Sequence, residues 1–387
     1  MKQLNIGLIG YKFMGKAHSH AYKDVGMFFD LPAEPVMKAL CGRDEAGVRE
    51  AAAKFGWESY ETSWEALLQR KDIDLVDVTA PSNVHREIVE AAAQAGKHVF
   101  CEKPLALNLE DSVAMWRAVE KAGVKHMVGF NYRRVPAVLL AKRLIDEGAI
   151  GEIRHFRGVY LQDFIVDPDF PLVWRLQKEV AGSGPLGDLA SHLIDIAHFL
   201  VGDIAEVNGM KKTFIKERPV PSSMTGLSAT SAGGAVEQVT VEDACTFLFQ
   251  FENGALGSLE ASRMCPGRKN YQTFEINGSE GSLSFSFERM NELEFFSRSD
   301  AAHAQGFRTI QVTEPEHAYL EAWWPPGHVI GYEHTFIHEV KDLIEAIAAN
   351  ESPQPSFEDG VKCQAVIDAV LESARARRWV DVPKVSL

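Results

Sequence analysis

The first 130 residues alternate short apolar runs with longer amphipathic stretches. The apolar runs, at residues 4–9, 36–41, 75–79, 98–101 and 126–129, have the length and composition of buried strands. Between them, residues 45–55, 84–95 and 109–122 place apolar side chains at helical spacing. Strands that alternate with helices predict a parallel sheet with crossover helices. Because such open sheets bind ligands at the carboxyl ends of their strands, residues directly after each strand are the candidates for function.

A glycine-containing turn follows the first predicted strand. Gly10 and Gly15 occupy the first and third glycine positions of a dinucleotide turn, and Lys12 stands at the second. A helix predicted to begin near Phe13 would present its first amides, including those of Phe13 and Met14, to a pyrophosphate, with Lys12 as a nearby positive charge. A turn that binds nothing is the alternative. The further strand–helix units favour a doubly wound Rossmann domain over residues 1–130 that binds a nicotinamide dinucleotide.

The end of the second strand distinguishes NAD from NADP. An acidic residue there hydrogen-bonds the ribose 2′-hydroxyl, whereas an arginine accommodates a 2′-phosphate. The chain reads Cys41-Gly42-Arg43-Asp44, so Arg43 favours NADP, and Asp44 favours NAD if it turns inward. The sequence leaves both cofactors open.

Later strand ends supply further candidates for the cofactor site. Thr79, Pro81, Asn83 and His85 follow the third strand, Glu102 and Lys103 follow the fourth, and Asn131 follows the fifth. Pro104 holds Lys103 in an extended conformation, which predicts that its side chain enters the cleft.

Beyond residue 150 the pattern changes to runs of strands with helices set apart. Strands are predicted at residues 154–161, 244–251, 255–262 and 272–276, with a hairpin turn at Asn253-Gly254. Helices are predicted at residues 187–201, 332–349 and 359–377, a short strand at 379–382, and a surface loop at 219–234. This pattern predicts an α+β domain over residues 131–387, with an antiparallel or mixed sheet packed on one face.

Composition and charge narrow the functional classes. The formal net charge of -14 over 387 residues argues against nucleic acid and membrane surfaces as partners. No apolar stretch approaches the roughly 18 residues of a membrane span, and no signal core follows the N-terminus. The five cysteines are scattered and form no close pair, which favours a reducing, cytoplasmic compartment.

Acidic and basic residues with catalytic potential occur in the predicted helix at residues 187–201. Asp188, His192 and Asp195 are spaced at i, i+4 and i+7, which predicts one helical face. Oxidation of an alcohol requires a base for the hydroxyl proton, and histidine suits that role. The alternatives are a helix-terminal acid with a core histidine, or a metal site that includes His198. No companion motif completes a metal site, so no metal is expected. His18 and His20 are expected to pack or to lie at the surface.

The neighbouring polar and aromatic residues suit a polyhydroxylated ring, which needs several polar groups and an apolar face. The candidates are Tyr132, Arg133, Gln162, Asp163, Trp174 and Arg175.

With Glu102-Lys103-Pro104 and several separated motifs, the chain resembles the Gfo/Idh/MocA oxidoreductases, which include glucose-fructose oxidoreductase and inositol dehydrogenases. The matching segments are residues 7–18, 79–85, 95–104, 129–133, 184–202 and 360–382. The resemblance implies a large open, mainly antiparallel C-terminal sheet that serves as a dimer face, in a homodimer or homotetramer. Residues 174–184 resemble the branch that acts on anhydrosugars such as levoglucosan.

The resemblance also implies an activity and the residues that perform it. The expected protein is an NAD(P)-dependent dehydrogenase that oxidises a secondary hydroxyl of a sugar, anhydrosugar or inositol to the ketone. Lys103 and His192 would be catalytic, and Asp188 would orient the site or bind a neighbouring hydroxyl. Whether Lys103 or His192 accepts the proton stays open. A non-catalytic sensor that binds sugar and dinucleotide is the alternative from another class.

Overall fold

A six-stranded parallel sheet forms the N-terminal part of the computed structural model, which describes residues 2–225, 228–230 and 234–386. Its strands are β1 (Lys2–Ile9), β2 (Ala33–Cys41), β3 (Ser59–Glu61), β4 (Leu75–Val78), β5 (His98–Glu102) and β6 (His126–Gly129). The order β3-β2-β1-β4-β5-β6 reverses direction at β1, which is the doubly wound arrangement expected of a Rossmann domain. The predicted N-terminal fold is therefore confirmed.

Helices connect these strands and cover both faces of the sheet. They are α1 (Phe13–Phe28), α2 (Glu45–Phe55), α3 (Trp64–Gln69), α4 (His85–Gln94) and α5 (Leu109–Ala122). Asn108 caps α5 by accepting the backbone N–H of Asp111, and Gly123 ends the same helix with a φ of 67°. The strand β3 was not predicted from the sequence, because its three half-buried residues at the sheet edge make no apolar run.

The C-terminal part is built on a nine-stranded sheet. Its strands are β7 (Ile153–Leu161), β8 (Ile204–Lys212), β13 (Ala244–Phe251), β14 (Leu256–Ser262), β15 (Tyr271–Gly278), β16 (Gly281–Ser286), β17 (Glu292–Ser297), β18 (Arg308–Gln311) and β19 (Val380–Asp381). They lie in the order β18-β17-β16-β15-β7-β14-β13-β8-β19, and β7 with β14 is the only parallel pair of this sheet among the described residues. The expected large, mainly antiparallel sheet is confirmed.

The remaining helices lie on one face of this sheet or pack back on the N-terminal part. They are α6 (Pro136–Asp146), α7 (Lys178–Ala181), α8 (Ser191–Leu200), α9 (Tyr332–Ala349) and α10 (Phe357–Ala376). Helix α9 packs against α1, and α10 packs against α5 and β8. One apolar core runs from β6 to the nine-stranded sheet, so the two sheets flank a common cleft. Within the described ranges, no helix combines the length and apolarity needed to cross a bilayer.

The segment at residues 219–234 departs from the predicted surface loop. The strand β9 (Glu217–Pro219) pairs with β12 (Val236–Gln238), and β10 (Ser223–Thr225) pairs with β11 (Ser228–Thr230). Residues 226–227 and 231–233 lie outside the described residues. The prediction of a loop is wrong for the paired residues, because a Ser/Thr-rich composition reports polarity and says little about backbone pairing.

The helix predicted at residues 187–201 also differs from the observed structure in its first turn. Residues 186–190 form a π-helical turn, and α8 begins at Ser191. The side-chain oxygen Oε1 of Glu242 holds this turn by accepting the backbone N–H groups of Gly184 and Leu186, at 2.7 and 3.1 Å. The wider π turn changes the angular spacing of the residues on either side of it.

Candidate active site

A cavity of about 420 Å³ lies between the carboxyl ends of the N-terminal strands and the inner face of the nine-stranded sheet. The predicted cofactor residues that line it are Phe13, Met14, Thr79, Glu102, Lys103 and Asn131. The predicted substrate residues that line it are Lys103, Tyr132, Gln162, Trp174, Arg175, Asp188 and His192. The fold thus brings together side chains that are distant in sequence.

The turn after β1 has the geometry of a dinucleotide cradle. Gly10 has a φ of 107°, and a Cβ on it would lie 2.6 Å from Oγ1 of Thr79. A Cβ on Gly15 would lie 2.0 Å from the carbonyl oxygen of Gly10, so a larger residue at position 15 would clash with the backbone of the turn. Lys12, at the exposed N-cap of α1, makes no side-chain capping hydrogen bond. The first amides of α1 are therefore free of a side-chain cap and fit an anionic pyrophosphate.

An aromatic ring and a carboxylate stand at the end of β2. A Cβ on Gly42 would lie 2.3 Å from Cε1 of Tyr11, so the ring of Tyr11 lies directly over this strand end. A Cβ on Gly47 would lie 2.6 Å from Oδ2 of Asp44 and 2.7 Å from the hydroxyl oxygen of Tyr11, so the phenol lies beside that carboxylate. Burial, followed by the charge of Asp44, raises the pKa of the Tyr11 hydroxyl. Arg43 is exposed and does not line the cavity.

Lys103 and Asp188 meet in the cavity. The Nζ of Lys103 donates to the backbone oxygen of Asp188 at 2.8 Å and to its Oδ1 at 3.1 Å. The Nη2 of Arg263 donates to Oδ2 of the same carboxylate at 2.7 Å. Burial disfavours the charged carboxyl, but the charges of Lys103, Arg263 and Arg175 hold the pKa of Asp188 far below its ordinary value. Asp188 is thus ionised and fixes the lysine ammonium in place.

His192 faces the same cavity as a neutral imidazole. Burial, and then the positive charge of Lys103, lowers the pKa of His192 well below its ordinary value. The ring of Tyr132 lies 4.4 Å away, centre to centre, and Phe130 and Tyr160 also surround the imidazole. Its Nδ1 is buried without a hydrogen-bond partner in the described part of the chain. A neutral imidazole at this position is in the state required to accept a proton.

Polar groups and one flat ring line the substrate side. The hydroxyls of Tyr132 and Tyr160 lie 3.0 Å apart, and Tyr160 donates to Oδ1 of Asn270 at 2.7 Å. Gln162 donates to the same Asn270 oxygen at 3.0 Å. The guanidinium carbon of Arg175 lies 4.4 Å from the ring centre of Trp174.

Arg263, Lys269 and Asn270 are among the lining residues that were not predicted from the sequence. They lie in the connection between β14 and β15, far in sequence from the other site residues. The available signal was the position of Arg263 directly after a strand, but an arginine at an antiparallel strand end is commonly a surface charge.

Arg133 corrects the predicted substrate set. It is buried outside the cavity, where its Nε and Nη2 donate to the two carboxylate oxygens of Asp195, at 2.7 and 2.6 Å. Its Nη2 also donates to Oδ1 of Asp359 at 2.9 Å. Asp195 therefore lies outside the cavity that Asp188 and His192 line, and the prediction that the three side chains share one site is wrong, because the Asp195 carboxylate pairs with Arg133. Arg133 links α8 and α10 instead of meeting a substrate.

Other predicted residues also lie apart from the cavity. At the edge of the cavity, Oδ2 of Asp163 accepts a hydrogen bond from Nζ of Lys269 at 2.7 Å. The ring nitrogens of His85 lie 2.9 and 3.1 Å from the carbonyl oxygens of Ala80 and Leu105, and the side chain is buried, which corrects its assignment to the cofactor. Pro81 and Asn83 begin the turn into α4 without lining the cavity.

Among the described residues, no group of three or more His, Cys, Asp or Glu side chains is placed to hold a metal ion.

Comparisons with known proteins match the whole chain. Residues 4–130 match the oxidoreductase family with an NAD-binding Rossmann fold, and residues 138–284 match the GFO/IDH/MocA C-terminal domain. Levoglucosan dehydrogenase from Pseudarthrobacter phenanthrenivorans is 49% identical over 390 residues, covering 100% of both chains. D-apiose dehydrogenase from Paraburkholderia graminis is 30% identical, covering 99% of this chain and 90% of the relative.

A solved structure of levoglucosan dehydrogenase in complex with NADH and levoglucosan superposes with a TM-score of 0.94. It is 48% identical and covers 99% of this chain and 100% of its own. These similarities confirm the family resemblance that the separated motifs indicated, and also a similarity to levoglucosan dehydrogenase.

Proposed function

Since the chain belongs to the Gfo/Idh/MocA family of NAD-binding oxidoreductases, we propose that it oxidises a secondary hydroxyl of levoglucosan to the ketone with NAD. The wider function, a nicotinamide-dependent dehydrogenase of sugars, anhydrosugars or cyclitols, agrees with the named dehydrogenases among its relatives. The observation that supports the proposal best is the meeting of Lys103, Asp188 and a neutral His192 in one cavity next to the dinucleotide turn.

We propose that residues 1–130 bind the dinucleotide and that residues 131–387 bind the substrate and form the contacts between subunits. Gly10, Gly15 and the first amides of α1 would hold the pyrophosphate, with Lys12 as a supporting charge. When bound, the nicotinamide accepts a hydride from the carbon that bears the reacting hydroxyl. Asp44, beside Tyr11, favours NAD over NADP, because its carboxylate would accept a ribose hydroxyl and repel a 2′-phosphate.

We propose that His192 accepts the proton of the reacting hydroxyl. Its imidazole is neutral at physiological pH and lines the cavity together with Lys103. The ammonium of Lys103 stabilises the negative charge that develops on the substrate oxygen, and Asp188 holds that ammonium in position. Such a general base contributes about a hundredfold to ten-thousandfold in rate.

The substrate side suits an anhydrosugar. The Trp174 ring offers an apolar face, while Gln162, Arg175 and Tyr132 offer hydrogen-bonding groups for several hydroxyls. Levoglucosan is bound with NADH in a solved relative that is 48% identical to this chain, which supports the same substrate here.

A steady-state assay tests this proposal. Formation of reduced cofactor is followed by absorbance with NAD and with NADP, across levoglucosan, myo-inositol, D-apiose and common hexoses. We expect the highest kcat/KM with levoglucosan and NAD. A higher value for another sugar with NAD would overturn the substrate assignment. Binding of NADH with no turnover on any member of the panel would favour the non-catalytic sensor instead.

We further propose that the protein is a cytoplasmic homodimer or homotetramer that assembles through the outer face of the nine-stranded sheet. Helices cover the inner face, whereas Leu248 and Leu256 are 54% and 52% exposed on the outer face. The five cysteines are free thiols, which agrees with a reducing compartment.

A further inference from the structure

A charged histidine lies beneath the cavity, where α1 meets β4 and β5. The side chain of His18 is fully buried, with Nδ1 2.8 Å from Oδ2 of Asp77 and Nε2 3.0 Å from Oε1 of Glu102. A carboxylate oxygen only accepts hydrogen bonds, so both ring nitrogens donate and the ring is an imidazolium. Burial alone would lower the pKa of His18, but Asp77 and Glu102 raise it to about 10.

His18 is the cation that contacts both of the carboxylates beside it. Asp77 also accepts the hydroxyl of Tyr22 at 2.9 Å, and its Oδ1 has no partner within the described ranges. Glu339 of α9 acts on the same cluster, and burial raises its pKa well above the ordinary value. The ring of Phe100 stacks on the imidazolium at 4.9 Å, centre to centre. Among the described residues, His18 is the positively charged group in hydrogen-bond contact with Asp77.

Glu102 connects this cluster to the catalytic lysine. Its Oε1 binds His18, and its Oε2 accepts the backbone N–H of Lys103 at 3.1 Å. The carboxylate also lines the cavity, and the side chain of Lys103 extends from this point to Asp188. One unbroken chain of contacts thus runs from His18 through Glu102 and the backbone of Lys103 to Asp188.

We propose that His18 is a positioning residue for the dehydrogenase reaction, whose imidazolium holds the Glu102 carboxylate against the backbone N–H of Lys103. The proposal rests on the catalytic role assigned above to Lys103. The angle at which Lys103 leaves β5 then depends on a charge pair in the layer below the cavity, and the ammonium reaches Asp188 only while that pair is intact.

Removal of the imidazolium would leave two buried carboxylates without their shared counter-ion. Glu102 then loses the charge-assisted hydrogen bond that fixes its Oε1, so its Oε2 is no longer held at the backbone N–H of Lys103. The charged and titratable groups that face this cluster or act on it electrostatically are Tyr22, Asp77, His85, Cys101, Lys103, Tyr132, Arg134, Arg175, Tyr332 and Glu339.

The split between kcat and KM tests the proposal in the full-length enzyme. His18→Gln is compared with His20→Gln, which removes an exposed histidine that pairs with Asp24 on the same helix. We expect His18→Gln to lower kcat by about tenfold while the KM of the sugar stays near wild type, because a displaced ammonium stabilises the developing alkoxide less well. His20→Gln should leave both constants unchanged. A lower Tm with kcat near wild type in His18→Gln would show a purely structural role.

A double variant isolates the part played by Glu102. If His18 acts through Glu102, His18→Gln/Glu102→Gln should lose no more kcat than Glu102→Gln alone. Losses that multiply in the double variant would show that His18 acts by another route and would overturn the proposal.

Two further measurements apply if His18→Gln does not fold. Glu102→Gln alone should lower kcat at every pH with little change in the KM of the sugar, and an unchanged kcat would contradict the proposal. Nitrogen-15 NMR of labelled wild-type protein should show both ring nitrogens of His18 protonated at about pH 8. A neutral ring there would also overturn it. The NMR result needs no turnover, so it separates failure of this inference from failure of the proposed function.

Discussion

His192 stands at the centre of the proposed chemistry, so its removal is the sharpest test at a single residue. His192→Ala should lower kcat by at least about a hundredfold, because no other described neutral imidazole lines the cavity. Affinity for NADH, measured by fluorescence titration, should change little. His198→Gln, on the same helix but outside the cavity, is the matched control. Near-normal turnover in His192→Ala would refute its role as proton acceptor.

The pH profile of the wild-type enzyme tests His192 as the base. Burial and Lys103 lower the pKa of His192, so the imidazole stays neutral throughout the ordinary histidine range. If His192 is the base, kcat stays level from alkaline pH down to below about pH 6, and falls only when the ring protonates. A kcat that already declines above about pH 6 would contradict this assignment.

Residue type, position after a strand and helical spacing, together with the family resemblance, predicted Lys103, Asp188 and His192, which the fold places together. They could not give side-chain direction, and Arg133 is the clearest example, because its guanidinium turns to two carboxylates away from the cavity. His18 was interpreted as packing or surface because its partners lie 59 and 84 residues away, a separation that no local pattern reveals.

The N-terminus of α1 is the element whose sequence departs from the expected glycine pattern. Lys12→Gly should weaken NADH binding by about two- to fivefold, since one exposed charge near a helix end contributes about 0.3–1 kcal/mol. The loss should shrink at high ionic strength. Lys23→Ala, exposed near the other end of α1, is the control. Unchanged or tighter binding in Lys12→Gly would remove Lys12 from the cofactor site.

The buried ion pairs of Arg133 join three elements: the segment after β6, α8 and α10. Asp195→Ala leaves this guanidinium without its bidentate partner, which should lower the free energy of unfolding by about 3–5 kcal/mol. Chemical denaturation measures the change. The KM for the sugar should stay near wild type, because Asp195 does not line the cavity. A large rise in KM with unchanged stability would return Asp195 to the substrate site.

Elements with strong periodicity were predictable, and irregular ones were not. The bounds of α2, α5 and α9 agree with the helical spacing of their apolar residues. The π turn at residues 186–190 has no such pattern, because Glu242, more than fifty residues later, helps to hold it by accepting the backbone N–H groups of Gly184 and Leu186 at its start. Tertiary contacts decide local structure there.

The architecture of the whole molecule followed from the change of pattern near residue 150, where alternating strands and helices give way to runs of strands. What the pattern could not show is that α9 returns to pack on α1, which brings Glu339 over His18 and closes the space beneath the cavity. Contacts between residues some three hundred positions apart depend on the complete apolar core.

The proposed contact between subunits can be tested at the outer face of the nine-stranded sheet. Met210, Leu248 and Leu256 project from adjacent strands β8, β13 and β14, and each is more than half exposed in the single chain. Burial of such side chains against a second copy stabilises a dimer through the hydrophobic effect. Leu248→Lys would place a charge in that interface, so the mass measured by sedimentation should fall toward the 42.9 kDa of one chain.

Turnover per chain should survive in Leu248→Lys, because the cavity lies on the opposite, helix-covered side of the sheet. Val329→Lys changes another exposed apolar residue, 66% exposed and outside the sheet, and should leave the mass unchanged. If both variants keep the wild-type mass, assembly does not use this face. If Val329→Lys alone dissociates the protein, the contact lies on the connection before α9 instead.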